Sequence, residues 1–164
     1  MNNNKFIRTW SDLYGLTVVT AGKRLGTVED FYFEPETNAV RALRINTGIL
    51  GYRELMASAI KAIGLNTITI ANEYMLAEER TDGRLPTALS GQSLLSYKVI
   101  SEKGKLVGKV SNVLIDTSTP MTLRVVGFEL GGDSRGRHPI FAAKEVTAYE
   151  GDTMYILDKV AKQL

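Results

Sequence analysis

Very few side chains in this 164-residue chain could carry chemistry. It has one histidine, His138, and no cysteine. Without a thiol, disulfides, thiol nucleophiles and thiolate metal sites are all excluded, which fits a reducing compartment. A Ser-His-acid triad would have to be built on His138, which stands in a polar stretch directly before Pro139. A lone loop histidine of that kind reads as a surface residue, not as a general base. A zinc site would need carboxylates alone to complete it. The expectation is therefore no catalytic residue, no metal and no cofactor, in a protein that is not an enzyme.

Three other patterns suggest chemistry and have simpler readings. Gly104-Lys105-Leu106-Val107-Gly108-Lys109 looks like a phosphate-binding loop. A Walker loop, however, needs four residues between its glycines, then Lys-Ser/Thr, and opens a helix. Here three residues intervene and strand-forming residues follow, so the segment reads as a hairpin turn. Asp30, Glu34, Asn112 and Asp116 could face a divalent cation, but their spacing places them at matching strand positions, where they stabilise turns or bulges. Arg135-Gly136-Arg137 could touch phosphate or RNA and reads first as a solvated hairpin tip.

The elements that carry these residues follow from a repeat. Gly22 to Glu34 recurs 82 residues later as Gly104 to Asp116, with Gly22/Gly104, Lys23/Lys105, Gly26/Gly108 and Val28/Val110 identical. Each copy is a turn feeding one long strand, about Leu25 to Glu34 in the first. Val28 lies on one parity and Phe31 and Phe33 on the other. Val110 against Val113 and Ile115 repeats the switch. A β-bulge near Glu29–Asp30 and near Ser111–Asn112 would let the strand bend while its apolar side chains stay inward, as a small barrel requires. A Cβ at Gly26 or Gly108 should then be costly.

The remaining segments fall around these strands. Residues 1–9 read as a frayed polar lead-in and Val18-Val19 as the first strand. Val40–Asn46 and Leu123–Leu130 form a matching pair of strands, and Thr67–Ile70 is another. Ala57–Ile63 suggests a single helical turn. Glu73–Glu79 has helical composition, Arg80–Pro86 reads as a polar linker, and Asp158–Leu164 as a short helix. Short strands at regular spacing between glycine turns indicate an all-β protein.

Composition fits a soluble globular protein, with 44% hydrophobic and 23% charged residues. Residues 1–88 hold ten basic and ten acidic residues, and residues 89–164 hold ten and eight. That balance gives no general basic face for nucleic acid. No apolar run is long enough to span a membrane and the start has no signal-peptide core, so the expected location is cytoplasmic, with membrane contact peripheral at most.

Leu13-Tyr14-Gly15-Leu16-Thr17-Val18, the Gly-x-x-x-Gly-x-Val of Gly22–Val28, the strand ending in an acid, Gly48–Gly51 and Ile60–Gly64 together resemble the PRC-barrel domain. That family includes the cytoplasmic part of the photosynthetic reaction-centre H subunit and the C-terminal domain of the ribosome maturation factor. The second copy departs from the pattern in aligning Tyr97 with Gly15 and in replacing Gly48–Gly51 by Gly131–Arg137. The resemblance implies an all-β fold of two small antiparallel PRC-type barrels in tandem. The expected boundaries are 10–72 for the first, 73–91 for a linker and 92–158 for the second. The two barrels would be related by a pseudo-two-fold axis or a translation.

The resemblance also implies a non-enzymatic module that grips another protein, an adaptor or assembly factor. Partner or self-association, including a dimer, is expected, and nucleic acid is disfavoured. The alternative is a ribosome- or RNA-processing-associated factor like the maturation-factor branch. The candidate interface is Ile49, Leu50, Tyr52 and Arg53 at one barrel tip, with Arg135 and Arg137 at the comparable tip of the other. Ile49 and Leu50 could instead fold back to close the barrel end.

Overall fold

The computed structural model describes residues 6–79 and 88–164. Strand β1 (Ile7–Thr9) and the one-turn helix α1 (Trp10–Leu13) lead into β2 (Thr17–Thr20), β3 (Lys23–Phe33), β4 (Val40–Asn46) and β5 (Tyr52–Met56). Three short strands follow, β6 (Ile60–Ile63), β7 (Thr67–Ile70) and β8 (Leu76–Glu78). The plan then repeats with β9 (Leu89–Ser90), α2 (Gly91–Leu94), β10 (Lys98–Ser101), β11 (Leu106–Asp116), β12 (Arg124–Leu130) and β13 (Ile140–Ala142). It closes with β14 (Val146–Glu150), β15 (Thr153–Ile156) and the short helix α3 (Asp158–Ala161).

The first sheet runs β6-β7-β2-β3-β4-β5-β8 and the second β13-β12-β11-β10-β15-β14. These orders require the sheets to be rolled. Strands β5 and β6 lie five spacings apart, about 24 Å in a flat sheet. Yet only the 3₁₀ turn Ala57–Ala59 joins them, and it rises about 6 Å. Ala143–Glu145 makes the same corner between β13 and β14. Within each repeat the strands pair antiparallel except where the returning strand meets the first, β7 on β2 and β15 on β10.

Both anticipated bulges are present. The β3–β4 register slips between Val28 and Asp30, and the β11–β12 register between Val110 and Asn112. The slip keeps Val28, Phe31 and Phe33, and Val110, Val113 and Ile115, all buried despite their opposite parities. The two glycines are not equally constrained, contrary to expectation. A Cβ on Gly26 would lie 2.5 Å from the Asn46 carbonyl oxygen, whereas on Gly108 it would meet the Leu130 side chain, no nearer than 3.4 Å at Cδ1.

The repeats exchange their leading segments. Strand β1 pairs with β11 of the second repeat, Ile7 opposite Asp116 and Thr9 opposite Leu114. In return β9 pairs with β3 of the first, Tyr32 opposite Ser90. Midway, the Val40 N–H donates to Leu123 O at 2.9 Å and the Val125 N–H to Asn38 O at 2.8 Å, flanking a bridge between Ala39 and Arg124. Contacts in which i meets j and the counterpart of j meets the counterpart of i define a two-fold. The repeats are therefore related by a pseudo-two-fold axis and not by a translation, and their buried side chains form one continuous core.

Four local expectations are corrected. Residues 7–9 are a paired strand because the other repeat supplies its ladder, a long-range contact invisible in local composition. Glu73–Glu79 is a 3₁₀ turn, Glu73–Met75, followed by β8 on the edge of β5. Ala57–Ile63 divides into a 3₁₀ corner and β6. The counterpart of Gly15 is Ser96, not Tyr97: Gly15 N donates to Val28 O and Ser96 N to Val110 O, with φ of +83° and +81°. The Arg80–Pro86 linker lies outside the described residues.

Candidate partner interface

The tip between β4 and β5 is built by its backbone. The Asn46 carboxamide oxygen accepts the Gly48 N–H at 2.9 Å, the Thr47 N–H donates to Gly51 O at 2.9 Å, and the Gly51 N–H returns to Gly48 O at 2.9 Å. The Thr47 hydroxyl adds a bond to Gly51 O. Gly48 and Gly51 both have φ of +77°, and Gly51 combines it with ψ of −151°, a region essentially closed to residues with a Cβ. The 3₁₀ turn Gly48–Leu50 therefore holds Ile49 and Leu50 outward. Ile49 is fully exposed and Leu50 72% exposed, so they do not fold back to close the barrel.

At the base of this tip the ring of Tyr52, 40% exposed, lies under the Arg44 guanidinium, 3.8 Å from carbon to centroid. Such a cation–π contact fixes the ring plane while leaving an edge in water. Arg44 Nε is also 2.7 Å from Glu79 Oε1, and Arg53 Nη1 is 3.9 Å from Glu78 Oε1. Glu78 ends β5's partner strand β8 and Glu79 follows it, so both arginines at the tip's base are countered. Sequence reasoning missed Glu78 and Glu79 because their segment reads as helix. Their pairing with β5 depends on a chain reversal with no local signature.

The tip of the second repeat has a different construction. Asp133 accepts the backbone N–H groups of Arg135 at 2.8 Å and Arg137 at 3.0 Å, and its second oxygen takes Arg137 Nε at 2.9 Å. The bond from the Arg137 backbone, then that from Arg135 and the Arg137 guanidinium, hold the Asp133 carboxyl below the usual range. Arg137 thus serves its own loop. His138, half-exposed, has Nδ1 3.2 Å from Leu130 O.

The two tips do not form one site. β4 and β12 leave the Ala39–Arg124 bridge antiparallel, each about 20 Å long at seven residues. Ile49, Leu50, Tyr52 and Arg53 therefore lie at one end of the molecule, with Arg135 and Arg137 at the other.

The four acids and amides considered for cations have internal partners. Asp30 and Asn112 sit at the bulges and bond across the repeats. Glu34 pairs with Arg41 at 2.9 Å, which draws its carboxyl below the usual range. Asp116 accepts the Ser118 N–H. Among the described residues no group of three or more His, Asp or Glu could hold a metal ion. Gly104, at φ +86°, closes the turn into β11, so the phosphate-loop look-alike is a hairpin.

Two rolled sheets about a pseudo-two-fold axis, with built tips, define a tandem of small β-barrels. The PRC-barrel domain model matches residues 7–82 and again 86–156, and the chain belongs to that family, carrying two of its domains. Such domains are in general non-catalytic binding modules. Among solved structures the chain is similar to one described as a 16S ribosomal RNA processing protein, RimM, of Pseudomonas aeruginosa. The two share 13% identity, covering 88% of this chain and 95% of that one, with a TM-score of 0.32. A likeness at that level carries no functional argument. No curated protein matches the chain. No helix among the described residues is long and apolar enough to cross a membrane.

Proposed function

We propose that this tandem PRC-barrel chain is a non-catalytic protein-binding module, an adaptor or assembly factor acting in the cytoplasm, and that it grips its partner with the tip of the first barrel. The observation that carries the reading is the exposure of Ile49 and Leu50 on a tip whose glycines and hydrogen bonds hold them out. Two apolar side chains held in water by a defined turn need no ordering before they enter a partner's pocket, which lowers the entropic cost of binding. Tyr52, braced by Arg44, supplies the aromatic anchor typical of interface hot spots. Arg53, with its loose ion pair, forms the polar rim.

The test is Ile49→Ser, Leu50→Ser. The reading expects an unchanged melting temperature together with loss of a partner that the unaltered chain retains on affinity capture, or loss of self-association by light scattering. Retention of every partner by the variant would sink it. The second class, a ribosome- or RNA-associated factor, predicts salt-dependent retention on an RNA column. The near-neutral net charge of +2 argues for the first class.

A further inference from the structure

The exchange of leading segments carries a size code. Trp10 and Gly91 open the matching helices α1 and α2. The helix α2 packs against β3, where an added Cβ on Gly91 would overlap the edge of the Phe31 ring. The helix α1 packs against β11, on which the counterpart of Phe31 is the smaller Val113. A large residue on the helix thus goes with a small one on the strand, and the reverse on the other side. Phe31 is fully buried and also meets Trp10 edge-on, with centroids 4.9 Å apart, so its ring has no room to retreat.

We infer that the inter-repeat surface is a docking interface specific for the unlike repeat, able to hold the two halves together without the connecting chain, within one molecule or between two copies. Its elements on each side are a short antiparallel strand pair, a Thr9- or Ser90-capped helical turn, and an Asx side chain that receives that turn's backbone. None of these contacts depends on the covalent link, so the same segments of a second copy present the same groups. Pairing of two first repeats is blocked, because it would set Trp10 where only Gly91 fits against Phe31, whereas two second repeats would set Gly91 beside Val113 and leave the space unfilled.

The experiment uses the full-length folded chain with a protease recognition sequence inserted between Gly83 and Arg84, cut to completion and followed by native mass spectrometry. The expected result is one particle holding both fragments. Separate fragments would overturn the inference. Isotope-labelled and unlabelled cut pools are then mixed in urea and refolded. Label should scramble between unlike fragments, and particles holding two N-terminal fragments would overturn the size code. Gly91→Trp in the C-terminal fragment should lower recovery of the paired particle by about tenfold or more. Phe31→Val in the other fragment should restore it. Full recovery with Gly91→Trp alone, or no restoration by Phe31→Val, would show that size is not what selects the partner.

Discussion

Asp30 accepts the backbone N–H of Gln92 at 2.9 Å, and Asn112, its counterpart one repeat on, accepts that of Ser11 at 3.3 Å. Each therefore satisfies a free donor at the start of a helix belonging to the other repeat, while also holding the N–H of its own next residue, Phe31 or Val113. Asp30 additionally takes the Ser90 hydroxyl and is buried. Hydrogen bonds to a charged group are the stronger kind. Asp30→Ala should destabilise by about 2–3 kcal/mol and Asn112→Ala by about 1 kcal/mol in urea titration. Equal costs would show that the two caps are energetically interchangeable.

Gly26 and Gly108 occupy the same repeat position with different surroundings. Gly26→Ala drives a methyl against the Asn46 carbonyl oxygen and should cost about 2–3 kcal/mol. Gly108→Ala meets a Leu130 methyl at ordinary contact distance and should stay within about 0.5 kcal/mol of the unaltered chain. The paired denaturation midpoints check this directly.

Ser96 holds a backbone conformation, φ +81°, that its counterpart Gly15 adopts freely. A non-glycine residue there costs about 1–2 kcal/mol, partly offset by glycine's larger freedom in the unfolded chain. Ser96→Gly should therefore stabilise by about 0.5–1 kcal/mol, read as a rise in melting temperature.

Tyr149 packs edge-on to Phe33, and its hydroxyl is buried without a hydrogen-bond partner among the described residues. Burial, and then Tyr97, push that hydroxyl's pKa well above the ordinary tyrosine value. The unfolded chain thus releases this proton first. Titration of this group therefore leaves stability unchanged below about pH 10 and lowers it as pH rises beyond that value. Tyr149→Phe should stabilise by about 1 kcal/mol at neutral pH. It should also flatten the loss of stability in urea titrations above pH 10. A steeper alkaline loss in the variant would contradict the assignment.

The parts of the fold legible in the sequence were those encoded locally or by repetition. The parity switch from Val28 to Phe31 announced the bulge, and the glycine pattern announced turns and family. What stayed hidden depends on partners far along the chain. Ile7–Thr9 looks like a lead-in until β11 is beside it, and Glu78 looks helical until β5 is. At the candidate site, the apolar character of Ile49 and Leu50 was plain. Whether they faced in or out was decided by the dihedrals of Gly48 and Gly51, which composition does not specify. The bracing of Tyr52 required Arg44 two residues before the tip, on the adjoining strand, with Glu79 behind it.

The exchange of leading segments also sets an order in time. Ile7 cannot meet its ladder partner Asp116 until 109 more residues have been made, and the β3 edge at Phe33 waits for Leu89. At bacterial and eukaryotic synthesis rates of about 5–20 residues per second, the first segment leaves the ribosome roughly 5–20 s before its strand exists. For the first part of that interval, until Leu89 and Gly91 are made about 3–12 s after Phe31, the first barrel carries an open β3 edge and an unfilled place beside Phe31. Slow codons or a pause before β9 would lengthen this exposure, so the nascent first half is the stage at which the chain most needs a chaperone.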